Sequence, residues 1–303
     1  MPRKQKKRPV TPRPIAPVEA RKAERATLVI PHRNDPEWLA WTVENAKRAG
    51  FSTVIQIEDE PAVGVSFRRD EGIMQAKTEV VMVADAHQDF MPGLSDAVCD
   101  HLDQHPRDVL CVACWGIEER EGHRVNEPGP RYGAYMHEWF EGKALVNKWH
   151  REPTDTGEVA CVLGGFYAFR RDWYVDGLGR PWQYQRGWGK SEQMLSLSNW
   201  LMGGRNVCRA DLWASHHFRA TRTDTVNVCR AQKYNTCFIA HAMIEPDHRK
   251  RVLGLIAGGT PAEWYGCGLT FTQEEAEAYY AHVEKHRVRT YSDFREQMMH
   301  PNP

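Results

Sequence analysis

The chain has 303 residues, 40 Lys/Arg balanced by 40 Asp/Glu, and 41% hydrophobic content, enough for one large core and too apolar for a disordered polyelectrolyte. No stretch approaches the roughly 18 consecutive apolar residues of a membrane span. Eight cysteines in a chain this long are too sparse for a disulfide scaffold, which points to a reduced, cytoplasmic protein.

Charge is unevenly spread. Residues 1–25 hold nine Lys/Arg against Glu19 and Glu24, a net +7 that leaves −7 for the remainder. This Pro-rich segment predicts a disordered basic tail, and it lacks the apolar stretch of a signal peptide. It is either a solvated tail or an arm that tracks a polyanion such as DNA.

Order is expected from Ala26. Thr27–Pro31 reads as a short buried strand, followed by the loop His32-Arg-Asn-Asp-Pro36 and a helix over Glu37–Ala49 that Gly50 closes. Ser52–Ile57 is a second strand, ending in the acidic run Glu58-Asp59-Glu60, and Arg68–Lys77 has helical character. Val80–Ala84 is an apolar strand that delivers Asp85 and His87 to its C-terminal end. In an open α/β sheet that edge binds ligands, and a carboxylate two residues from an imidazole suits a divalent cation such as Mn²⁺. Cys111 and Cys114 lie in the strand-like run Val109–Trp115, where a buried structural pair is expected because no second C-x-x-C accompanies them.

Residues 116–158, rich in Gly, Pro, Trp and His, read as irregular. Val159–Leu163 returns to strand, Gly164-Gly165 interrupts it, and Phe166–Phe169 resumes; paired glycines there allow a ligand or another backbone to approach closely. Gly187-Trp188-Gly189 precedes a helix over Ser191–Met202, and a further strand leads to Ser215-His216-His217. Those two histidines cannot both face one metal on a regular strand, since neighbours point to opposite faces. Helices are expected over Ala240–Leu255 and Gln273–His286, the latter with a Thr272–Glu275 capping box. The strand–helix alternation predicts an α/β protein with a doubly wound type of sheet.

Four ordered motifs within residues 26–220 carry a resemblance. They are Leu28-Val-Ile-Pro31-His-Arg-Asn34; Arg69-Asp-Glu-Gly72 with Asp85-Ala86-His87; Gly164-Gly165-Phe-Tyr-Ala-Phe-Arg-Arg-Asp172; and Trp188-Gly189 followed by Leu195-Ser196, Trp200–Gly204 and His216-x-Phe218-Arg219. Together they resemble the catalytic domain of polypeptide N-acetylgalactosaminyltransferases and their bacterial and phage relatives, which are glycosyltransferases of the GT-A fold. The resemblance implies a mixed, mostly parallel central sheet flanked by helices, with a catalytic core over 26–220 and a helical extension over 221–303 packed on the same domain. It also implies a UDP-sugar donor, Mn²⁺ or Mg²⁺, and retention of anomeric configuration.

Carried over residue by residue, the resemblance picks Asp85, His87 and His216 as metal ligands and leaves His217 a structural role. It places Pro31, His32, Asn34, Glu58, Asp59, Arg69, Ala86, Gly164 and Gly165 at the donor. Glu58 and Asp59 are either acceptors for uracil and ribose or a solvated acidic turn. Trp188, between two glycines that suggest a loop closing over the donor, joins Glu192 and Arg69 as catalytic candidates. After Trp188-Gly189 the family's carboxylate is displaced by one position, so Glu192 departs from the usual pattern. The acceptor stays open between a protein Ser/Thr hydroxyl, a hydroxymethylated pyrimidine in phage DNA, and a cell-wall or small glycan. A non-catalytic nucleotide-sugar-binding module is the third reading.

Overall fold

The computed structural model describes residues 25–120, 123–127, 129–218, 225–256 and 273–300. The basic tail, Arg219 and the Thr272 cap therefore lie outside the described residues, apart from Arg25. The first half alternates strand and helix: β1 Ala26–His32, α1 Pro36–Arg48, β2 Thr53–Glu58, α2 Val65–Gln75, β3 Val80–Ala84, β4 Gln88–Phe90, α3 Leu94–Gln104 and β5 Asp108–Arg120. Then come β6 His123–Asn126, β7 Ala134–Phe140, β8 Lys143–Trp149, β9 Phe166–Arg170, α4 Ser191–Leu201 and β10 Arg205–His216. The chain closes with α5 Thr225–Met243, α6 Pro246–Gly254, α7 Gln273–His286, α8 Tyr291–Gln297 and β11 Met299–His300.

The main sheet has the order β2-β1-β3-β9-β5-β10-β4, with β6 hung on β5. β2, β1, β3, β5 and β10 run one way, while β9 and β4 run against them. Both faces are covered, which explains the unbroken apolar run in β3: Val81 and Val83 pack into one core, Val80, Met82 and Ala84 into the other. α1 and α3 cover one face with Leu39, Ala46, Leu94 and Val98. α2, α4 and the C-terminal helices cover the other, with Ile73, Leu195, Phe238, Tyr279 and Phe294 in a single cluster. The result is a mixed sheet flanked by helices.

Three expectations need correction. Residues 116–158 are not irregular, because β7 and β8 form an antiparallel hairpin that β11 extends into a second sheet. Its two-residue turn, Glu141-Gly142, has φ of 49° and 74°, the mirror-image turn that matches strand twist. A glutamate at the first turn position hid it. Val159–Leu163 forms no ladder; Cys161 makes an isolated bridge to Ala134, and Glu158 just before the segment makes another to Val207. Ala240–Leu255 is not one helix, since Pro246 lacks the amide to continue a helix and Glu245 before it is extended (φ −58°, ψ 150°).

Candidate active site

The reversed strand β9 builds the site. It runs antiparallel to β3 with Phe166 opposite Ala84, so the turn entering β9 faces the loop leaving β3. At that junction the Asp85 amide donates to the Gly165 carbonyl at 3.2 Å. From the other side, β4 pairs with β10 and sets Gln88 opposite His216. Asp85, His87 and His216 thus converge from two loop positions and a strand end, and their ligand atoms all lie within 4.8 Å of one another.

Electrostatics set the charge states of Asp85 and His87. Asp85 Oδ1 accepts from Arg69 Nη2 at 2.6 Å, and Oδ2 lies 3.2 Å from His216 Nε2. Burial alone would push the Asp85 carboxyl up, but the Arg69 guanidinium and then His216 hold it well below the usual carboxylate range. Burial lowers the His87 imidazole to about 4, so it is neutral and able to bind a metal near pH 7. Arg69, 2% exposed, sits 5.3 Å over the Tyr167 ring and 5.4 Å from that of Trp182.

The paired glycines line the same space. A Cβ at Gly165 would stand 2.8 Å from Asp85 Oδ2 and 2.9 Å from His216 Cδ2, so only glycine leaves this wall open. The Gly165 amide donates to the Tyr167 hydroxyl at 3.1 Å, which in turn donates to Glu192 Oε1 at 2.7 Å. Glu192, in the first turn of α4, is therefore joined to the Asp85-His87-His216 cluster through Tyr167 and the Gly164-Gly165 turn. His217 faces away: its Nδ1 meets the Ile117 carbonyl at 3.2 Å and its ring stacks on Trp38 with centroids 4.5 Å apart.

The remaining donor-side candidates line the ends of β1 and β2. Pro31 is buried opposite Ile57, and His32 pairs with Glu58 and accepts from the Asp59 amide at 2.8 Å. Asn34 is exposed with φ 52°, Glu58 is exposed, and Ala86 is buried between Asp85 and His87. Asp59 is more than a solvated turn residue, because Oδ1 accepts from the amides of Val63 and Gly64 and from Arg68 Nε. The loop of Trp188, itself 40% exposed, is tied down on several sides. Gly187 N–H donates to the Val63 carbonyl, and Asn235 of α5 donates to the carbonyls of Arg186 and Gly189. A Cβ at Gly187 would lie 2.6 Å from that of Ala231, so this glycine serves close packing against α5.

Two residues of the network escaped the sequence reading. Tyr167 sits in the apolar run Phe166–Phe169, where its hydroxyl is the one polar signal. Gln88, directly after His87, is fully buried, and an amide in that position was the available clue.

This sheet order, with Asp85, His87 and His216 gathered at the β3 edge where they could hold a metal ion and a glycine turn beside them, is that of the GT-A fold. The crystal structure of GalNAc-T7 with UDP, GalNAc and Mn²⁺ matches with a TM-score of 0.69 and 14% identity, over 90% of this chain and 56% of that one. This chain thus spans little more than half of that protein. Staphylococcus aureus TarS in complex with UDP-GlcNAc aligns at 12% identity with a TM-score of 0.47, covering 86% of this chain and 79% of that one. At 14% identity the likeness to GalNAc-T7 establishes the fold alone. No protein-family model and no curated protein matches the sequence. Among the described residues no helix is long and apolar enough to cross a membrane.

Proposed function

We propose that the protein is a metal-dependent glycosyltransferase that moves a hexose or N-acetylhexosamine from a UDP-sugar to a hydroxyl acceptor, a protein Ser or Thr, with retention of configuration. The observation that carries this reading is the convergence of Asp85, His87 and His216 beside the Gly164-Gly165 turn. One carboxylate and two imidazoles whose ligand atoms lie within 4.8 Å of one another fit a divalent cation such as Mn²⁺. A bound Mn²⁺ supplies Lewis-acid stabilisation of the diphosphate as it leaves.

The chain's own side chains do the rest. Arg69 holds Asp85 ionised and orients it. Gly165 leaves room for the donor sugar against the backbone. Glu192, oriented by Tyr167, accepts a hydrogen bond from a sugar hydroxyl. The ends of β1 and β2, from Pro31 to Asn34 and from Glu58 to Asp59, flank the nucleotide. A second reading changes only the acceptor to hydroxymethylated pyrimidines in DNA, and the +7 charge of residues 1–25 favours it.

The test is to incubate the protein with Mn²⁺ and a panel of nucleotide sugars and to measure release of free nucleotide, with EDTA controls. EDTA-sensitive hydrolysis of one donor is expected. Donor binding without hydrolysis or transfer to either acceptor class would leave a nucleotide-sugar-binding module instead.

A further inference from the structure

Gln88 adjoins every segment of the proposed metal cluster. It follows His87 directly in β4 and stands opposite His216 in the β4–β10 ladder. Its side chain is wholly buried, and both ends of the amide are used. Oε1 accepts from the Asp85 amide at 3.1 Å, and Nε2 donates to the Gly164 carbonyl at 2.8 Å. The reverse orientation would set donor against donor and carbonyl against carbonyl, so the two backbone groups fix which way the amide points. Its own backbone N–H donates to Thr42 Oγ1 of α1 at 3.0 Å, which anchors the short strand.

The Asp85 amide also reaches the Gly165 carbonyl. Satisfying that amide therefore does not require a glutamine. What the glutamine adds is a rigid spacer between the loop that carries Asp85 and the turn that faces it. Asparagine is one methylene too short to span the gap, and methionine fills the volume without bonding either group.

The geometry points to Gln88 as the positioning residue of the metal site, locking the Asp85 backbone to Gly164 so that the carboxylate and both imidazoles meet at one point. The inference rests on the metal reading proposed above. Ligands in such sites must hold their separations to about 0.2 Å, and supporting contacts outside the ligand set commonly alter metal affinity by about 10–100-fold.

The experiment uses the full chain and Mn²⁺ alone, with no sugar donor. Mn²⁺ affinity is measured by calorimetry, the bound ion's environment by electron paramagnetic resonance, and stability by thermal melting in EDTA. Gln88→Met and Gln88→Asn are compared with wild type and with Asp85→Asn. Each Gln88 variant that folds should bind Mn²⁺ about 10–100-fold more weakly and give a broadened resonance. A variant that binds with wild-type affinity and an unchanged spectrum, whatever its melting temperature, overturns the inference. If wild type shows no saturable binding, or Asp85→Asn binds equally well, the metal reading itself fails.

Discussion

Replacing Gly165 with alanine puts a methyl group between two of the three proposed metal ligands. The new Cβ would lie 2.8 Å from Asp85 Oδ2 and 2.9 Å from His216 Cδ2, where ordinary contact begins at 3.4 Å. The pair must therefore give way by about 0.5 Å, beyond the roughly 0.2 Å that a metal-ligand distance tolerates. Backbone strain adds to this, since φ is +76° and a left-handed alanine costs about 1–2 kcal/mol. With about 1–3 kcal/mol for overpacking, the melting temperature in EDTA should fall by about 4–10 °C for a chain of this size. Mn²⁺ affinity should fall at least about tenfold, equivalent to about 1.4 kcal/mol. Gly133→Ala is the internal control: it also has positive φ (+61°), but its Cβ would meet Val159 at 3.0 Å and no proposed metal ligand. That variant should lose comparable stability and keep its Mn²⁺ affinity within a few-fold. Equal affinity in Gly165→Ala and wild type would refute the placement of the ion beside this turn.

His216→Ala should reduce Mn²⁺ affinity by about 100-fold or more, as expected for loss of a direct ligand. His217→Ala should instead lose about 2 kcal/mol of stability, through the Trp38 stack and the bond to the Ile117 carbonyl, with affinity retained. The reverse order, read by calorimetry and melting, would mean that the histidines have exchanged roles. In metal-free buffer, folding stability should decline as pH falls from 6.5 towards 4. Burial depresses the folded-state value of His87 to about 4, so over that window the unfolded chain takes up a proton that the folded chain refuses. The loss attributable to His87 reaches about 3 kcal/mol, and His87→Gln should flatten that part of the slope in denaturant titrations. An unchanged slope would show that His87 is not held neutral by the fold.

The parts of this molecule that were legible in the sequence are those whose cause is local. Val80–Ala84 is a strand because five successive apolar residues suit a position covered on both faces, and Asp85 and His87 follow from where it ends. The β7–β8 hairpin was hidden because Glu141-Gly142 makes its turn by backbone conformation, without the Asn-Gly pair that advertises such turns. The break at Pro246 was legible in principle but was overridden by the apolar pattern on either side. Gly187 and Gly189 read as a hinge since glycine spacing carries no sign of a neighbour. Only the placement of α5, with Asn235 and Ala231 against that loop, shows why side chains are excluded there. Gln88 and Tyr167 belong to the same group: their polar atoms acquire meaning from backbone groups brought close by a strand reversal that no local pattern encodes.

The proposed ion would also draw on distant parts of the chain. Asp85 and His216 are 131 residues apart, and β9 and β10 must both be in place before their side chains meet. An ion that needs all three ligands has no site in a partly folded chain, so its binding energy accrues only to the completed sheet. Mn²⁺ should therefore slow hydrogen exchange across β3, β9 and β10 together, rather than protect the loop around Asp85 alone, and make the sheet open as one unit.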